Sequence, residues 1–91
     1  IDETGYLAAL SRALAAVRSF APAWLVVSVG MDTLAGDLWG DFALGVDSFA
    51  RLGAQVAALG LPTVVVQEGG YDPERTAAAA VLFLRAIDRE G

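Results

Sequence analysis

Two short apolar runs, Trp24-Leu25-Val26-Val27-Ser28-Val29 and Thr63-Val64-Val65-Val66-Gln67, constrain this chain more than anything else in it. Both are rich in β-branched residues and apolar on both faces, the pattern of strands buried in a parallel sheet. Between them, over about 47–59, Phe49, Leu52, Val56 and Leu59 fall on one face of a helix, with Asp47 or Ser48 at its start to cap it. Gly60 stops that helix in a left-handed turn, and Pro62 prevents its continuation. Strand, helix, strand is a βαβ unit, which predicts parallel pairing through a right-handed crossover.

Helices flank the unit. Tyr6, Leu7, Leu10, Leu14 and Val17 recur at helical spacing over about 3–18, behind Asp2, Glu3 and Thr4 as acidic and capping groups. After Phe20-Ala21-Pro22 that helix cannot easily continue. Asp72 as cap, Pro73 as first helical residue and Glu74 near the dipole's positive end open a last helix running through Ile87. The expected fold is therefore α/β, a partial parallel sheet with flanking helices, in one domain over residues 1–91.

The partial sheet makes composition informative. Strands apolar on both faces need helices above and below and further strands beside them, and a domain this small can bury only about 60–65% of its unfolded surface. With 56% hydrophobic residues among 91, the chain is expected to lack a neighbour and to expose a broad apolar sheet face and edge. Trp24, Phe49, Phe83 and Leu84 are expected in the core.

The zero counts exclude chemistry. No cysteine means no disulfide framework, thiolate nucleophile or zinc ribbon, and no histidine removes the Ser-His-Asp triad and the HExxH zinc site from this segment. Six arginines, scattered singly and without lysine, face eleven acidic residues for a net charge of −5. That balance argues against a phosphate-tracking surface, so nucleic acid is not an expected partner. No apolar run approaches the roughly 20 residues that span a bilayer, and the acidic start Ile1-Asp2-Glu3 is unlike a signal peptide. The expectation is a soluble, cytoplasmic protein with no membrane partner; the sequence leaves homo-oligomerisation open.

In open α/β sheets, sites form beyond the carboxyl ends of the strands, where Gly30-Met31-Asp32 and Glu68-Gly69-Gly70-Tyr71 both lie. Asp32 is a carboxylate on rigid backbone, suited to a metal or a base, or else a cap for the amides of Thr33 to Gly36. Asp37 and Asp41 sit in turn-like context and read as structural or solvated. Gly69 and Gly70 before a helix N-terminus allow close approach or a phosphate cradle, although the spacing matches neither the P-loop nor the dinucleotide fingerprint. Tyr71 can offer its phenol to an oxyanion or pack in a core or interface. Trp39 walls a channel or covers the sheet.

The stretches VVSVGMDTLAGD (26–37), GDFAL (40–44) and ALGLPTVVVQEGGYD (58–72), with GYLAAL (5–10) before them, resemble the C-terminal part of the zinc-dependent histone deacetylase and acetylpolyamine amidohydrolase superfamily. The wording is more similar to the bacterial acetylpolyamine and class II-like branch. The resemblance implies the C-terminal piece of an arginase/deacetylase-like three-layer fold and hydrolysis of an acetyl-amine or acetyl-lysine amide. It implies Asp32 as a ligand of Zn2+ in the full-length parent, Tyr71 as the residue that polarises the scissile carbonyl, Gly69 and Gly70 as the glycines that let the Tyr71 loop fold close, and Trp39 in the channel wall. The family's other zinc ligands, an Asp and a His separated by one residue, and its paired histidines lie upstream in the family pattern, and this chain has no His. Two departures stand out: Asp37-Leu38 replaces the usual Asp-Pro, and the final helix lacks an Asn across Ala77 to Ala80. The implied chain is one part of a catalytic domain whose N-terminal part is missing, inactive alone; the alternative is a stand-alone interaction or anion-binding module.

Overall fold

The computed structural model describes residues 1–36 and 43–90. Helix α1 spans Glu3–Phe20, strand β1 Leu25–Gly30, helix α2 Ser48–Ala57, strand β2 Thr63–Glu68 and helix α3 Pro73–Glu90, with a 3-10 turn at Met31–Thr33 directly after β1. The strands pair in parallel, in register from Leu25 opposite Thr63 to Gly30 opposite Glu68. The βαβ reading and each expected element are present, with ends shifted by at most three residues.

Local chemistry accounts for most boundaries. Asp2 caps α1 by accepting the Gly5 amide at 3.0 Å, the bond that satisfies an otherwise orphaned helix donor. At the other end Ala21 takes a left-handed conformation, φ 56°, and its amide donates to the Arg18 and Val17 carbonyls ahead of Pro22. Gly60 has φ 69° after α2, as its position before Leu61-Pro62 predicts. The start of α2 departs from expectation. Asp47 makes no capping bond, and the Ser48 hydroxyl accepts the Gly45 amide at 3.1 Å while donating to Glu3.

One cluster forms the core. Val29, Met31, Leu34, Leu44, Phe49, Leu52, Val56, Ala79 and Phe83 are buried, and Tyr6, Leu10, Leu14, Leu25, Val27 and Val65 pack around them. The closest helix packing joins α2 to α3 at Gly53. A Cβ there would stand 2.6 Å from the Phe83 carbonyl oxygen and 2.9 Å from the Ala86 Cβ. The long helix α1 lies at the periphery with no fully buried residue, and its N-terminus is tied to α2 by charge. Arg51 Nε donates to Glu3 Oε2 at 2.6 Å, Arg51 Nη2 to Oε1 at 2.7 Å, and the Ser48 hydroxyl to Oε1 at 2.5 Å.

Burial in the strands alternates, so one of their two apolar faces is covered and the other is open among the described residues. Leu25, Val27, Val29 and Val65 face the core, while Val26, Val64 and Val66 are exposed. Val26 opposite Val64 and Ser28 opposite Val66 make one continuous face; the expected open apolar sheet surface is there. Trp24 shares the parity of Val26 and is 68% exposed, so it is not a core residue. Leu84 is half exposed because the inward stripe of α3 runs through Ala79, Ala80, Phe83 and Ile87, and Leu84 joins Val81 on the outer side.

Two tests follow from this packing. Alanine is worth about 1 kcal/mol more than glycine inside a helix, but overpacking against backbone costs about 1–3 kcal/mol. Gly53→Ala is therefore expected to lower unfolding free energy in denaturant titrations; equal or greater stability would contradict the α2–α3 approach. The Arg51 and then the Ser48 hydrogen bonds hold the Glu3 carboxyl down at about 2. A carboxyl depressed on folding contributes stability above its unfolded pKa, about 4.3, and loses it as pH falls toward the folded value. Glu3→Gln should flatten the stability profile between about pH 5 and 2, modestly because the pair is solvent-exposed; identical profiles would refute this.

Candidate functional site

Parallel register brings the carboxyl ends of β1 and β2 side by side, Gly30 opposite Glu68. The segment after β1 is tightly held. Met31 is almost wholly buried, the Thr33 hydroxyl donates to the Gly30 carbonyl at 2.8 Å, and the Leu34 amide donates to the Met31 carbonyl at 3.2 Å. Leu34 and Leu44, both buried, meet in a short parallel bridge in which the Ala35 amide donates to the Leu44 carbonyl and the Leu44 amide to the Thr33 carbonyl. Asp32 rides on this segment, half-buried.

The segment after β2 nests against it. Gly69 and Gly70 have φ of 70° and 92°, values that side chains rarely tolerate. Asp32 lies between two glycines: a Cβ on Gly30 would stand 2.9 Å from its Oδ1, and one on Gly69 3.3 Å from its Cγ. Gly70 is hemmed in further, since a Cβ there would meet Thr76 Oγ1 at 2.5 Å and the Met31 Cβ at 2.8 Å. The Thr76 hydroxyl is itself buried and has no hydrogen-bond partner among the described residues. The glycines expected from sequence to permit close approach do so, and what approaches is the Asp32 turn.

Tyr71 follows Gly70 directly and is 62% exposed; it is not a core tyrosine in this chain. Next comes α3, whose cap behaves as expected: Asp72 Oδ1 accepts the Arg75 amide at 3.2 Å, and the Asp72 carbonyl accepts the Thr76 amide at 2.9 Å. A carboxylate of the chain thus already serves the helix end that the anion-binding alternative would use. Of the amides from Thr33 to Gly36 that Asp32 was expected to cap as an alternative, those of Leu34 and Ala35 go to backbone carbonyls.

Arg75 was not anticipated. Its Nη1 donates to the Ala35 carbonyl at 2.6 Å across a separation of 40 residues, bridging α3 to the segment that carries Asp32. A signal for it exists in the sequence: a cation in the first turn of a helix opposes the dipole, so its placement calls for another partner. Trp39, Asp37 and Asp41 lie outside the described residues. Among the described residues, no group of three or more His, Cys, Asp or Glu is placed to hold a metal ion. A surface hollow at the N-termini of α1 and α2 is lined by Asp2, Glu3, Ser48 and Arg51, and its main charges already satisfy one another.

The chain has close counterparts in sequence and fold. Over 82 residues the chain is 43% identical to the acetylpolyamine amidohydrolase of Burkholderia pseudomallei (strain 1710b), which takes in 90% of this chain and 24% of that protein. The crystal structure of acetylpolyamine aminohydrolase from Burkholderia pseudomallei matches with TM-score 0.89 and 41% identity, over 94% of this chain and 25% of that one. The histone deacetylase Clr3 matches with TM-score 0.82 and 26% identity, over 96% of this chain and 15% of its own. The chain spans about a quarter, 24%, of the length of the first of these relatives. Matched by the histone deacetylase domain from residue 1 to residue 87, the chain belongs to the histone deacetylase domain family.

Proposed function

We propose that the chain is the C-terminal part of the catalytic domain of a zinc-dependent deacetylase, which hydrolyses the amide of an acetylated amine. The observation that carries the reading is the contact of Asp32 with Gly69, which sets a carboxylate beside the loop leading to Tyr71 at the carboxyl ends of the strands. The relatives named acetylpolyamine amidohydrolase support a small acetylated polyamine over acetyl-lysine as substrate. The open sheet face of Val26, Val64 and Val66 is the surface on which the rest of the domain packs, and the segment alone is inactive. No described helix is long and apolar enough to cross a membrane, in keeping with a cytoplasmic enzyme.

Asp32 suits a metal: it is a hard oxygen donor on a braced turn, framed by two positions where a side chain would crowd it. A catalytic zinc takes three protein ligands; Asp32 provides one, and the others belong to the part of the domain outside this segment. When bound, zinc lowers the pKa of water and polarises the acyl carbonyl. The remaining work falls to this chain's residues. Asp32 orients its carboxylate through the turn that holds it. Gly69 and Gly70 admit the loop to the site, and Tyr71 donates its phenol O–H to the oxyanion that develops on the former carbonyl oxygen.

In the complete enzyme, Tyr71→Phe should lower kcat by about 100-fold or more, the scale of losing one oxyanion donor, with zinc content unchanged. Asp32→Ala should lose both zinc and turnover. Near-parental activity in both variants would sink the assignment.

A further inference from the structure

The hydrogen bond from Arg75 to Ala35 joins the two segments on which the proposed chemistry depends, and neither end of it belongs to that chemistry. Arg75 Nη1 reaches the Ala35 carbonyl at 2.6 Å in a partly buried setting. The guanidinium passes close over Gly36, where a Cβ would stand 3.6 Å from Nη1 and where φ is 82°. The backbone of Arg75 is anchored at the same time, because its amide donates to Asp72 Oδ1. On the receiving side, the Ala35 amide is held by the Leu44 carbonyl at 2.7 Å, so the residue is bound on both sides of its backbone. Asp32 is three residues upstream of Ala35, and Tyr71 is four residues upstream of Arg75. A charge-assisted bond is the stronger kind, and here its charge sits in the first turn of α3, where the helix dipole disfavours it. An arginine kept in that position for solubility or helix propensity alone has no reason to bend back to a carbonyl 40 residues away.

We infer that Arg75 is a positioning residue: its guanidinium locks the Asp32 turn to the first turn of α3 and thereby sets the Asp32 carboxylate relative to Tyr71. The inference rests on the assignment of Asp32 as a metal ligand and adds a residue that touches neither metal nor substrate. Supporting groups of this kind act through the ligand they hold, and their loss typically costs about 10–100-fold in metal affinity or activity. Thr76, one residue further along α3, shows how closely the same junction is packed, with its hydroxyl against Gly70.

The test uses the complete zinc enzyme with Arg75→Met, which keeps the aliphatic stem and removes the donors, and Arg75→Lys, which restores a donor. Zinc affinity is read by chelator competition, kcat and KM by steady-state deacetylation, and folding by thermal unfolding. Arg75→Met should weaken zinc binding and lower kcat by about tenfold or more each, with KM close to the parental value. Arg75→Lys should recover most of both losses. A lowered melting temperature with parental zinc affinity and kcat in the folded enzyme would reduce Arg75 to a structural brace and overturn the inference, as would a lysine variant no better than the methionine one. Asp32→Ala measured alongside separates the two readings. If it loses zinc while Arg75→Met does not, only the role of Arg75 fails; if it retains zinc, the ligand assignment fails and takes the inference with it.

Discussion

Parallel pairing of β1 with β2 is the constraint from which the rest of the structure descends. Parallel strands cannot be joined by a tight turn, so the chain must cross over the sheet, and the crossover here contains α2. The same pairing aligns the carboxyl ends, Gly30 opposite Glu68, so two segments remote in sequence emerge side by side. An antiparallel pair would have sent one of them to the far end of the sheet. The neighbourhood of Asp32 and the Gly69-Gly70-Tyr71 segment is therefore a product of strand direction before it is a product of any side chain.

Side chains then decide how tightly the two segments can nest. Three glycines, at 30, 69 and 70, remove the Cβ atoms that would collide with Asp32, Met31 or Thr76. Buried Met31, Leu34 and Leu44 hold the turn from below, and backbone bonds to Thr33 and from Ala35 hold it from the side. The result is a half-exposed carboxylate on a segment whose backbone has little freedom, the condition that a metal ligand or general base requires. The electrostatic tie of Glu3 with Ser48 and Arg51 fastens the N-terminus of α1, a helix with no fully buried residue, to that of α2.

Much of this was legible before any coordinates. The β-branched runs marked both strands, and Asp2, Gly60, Asp72 and Pro73 marked helix ends because capping is local chemistry written in single residues. The pairing of Asp32 with the Gly69-Gly70 segment was legible too, through the rule that sites gather at strand ends. What stayed hidden depends on contacts between residues far apart. Nothing around Gly53 tells a reader that a carbonyl of α3 lies against it, and the unfavourable place of Arg75 in the first turn of α3 calls for a partner without saying that it is Ala35. The reading of Trp24 and Leu84 as core failed for a related reason: hydrophobicity says that a residue prefers burial, while strand parity and helix phase decide whether this chain supplies the cover.

The alternation of burial along β1 and β2 has a consequence for how substitutions in this family segment are interpreted. Val64 and Val65 are sequence neighbours of identical chemistry, yet Val65 packs into the core described here and Val64 stands on the opposite surface. A polar replacement at Val65 subtracts from the cluster around Phe49 and Phe83, whereas the same replacement at Val64 leaves that cluster intact and is felt only by whatever lies across the sheet. Each strand thus carries two interleaved messages, one addressed to its own helices and one to the opposite face. A mutational scan that averages over adjacent positions would blur the two into a single featureless tolerance.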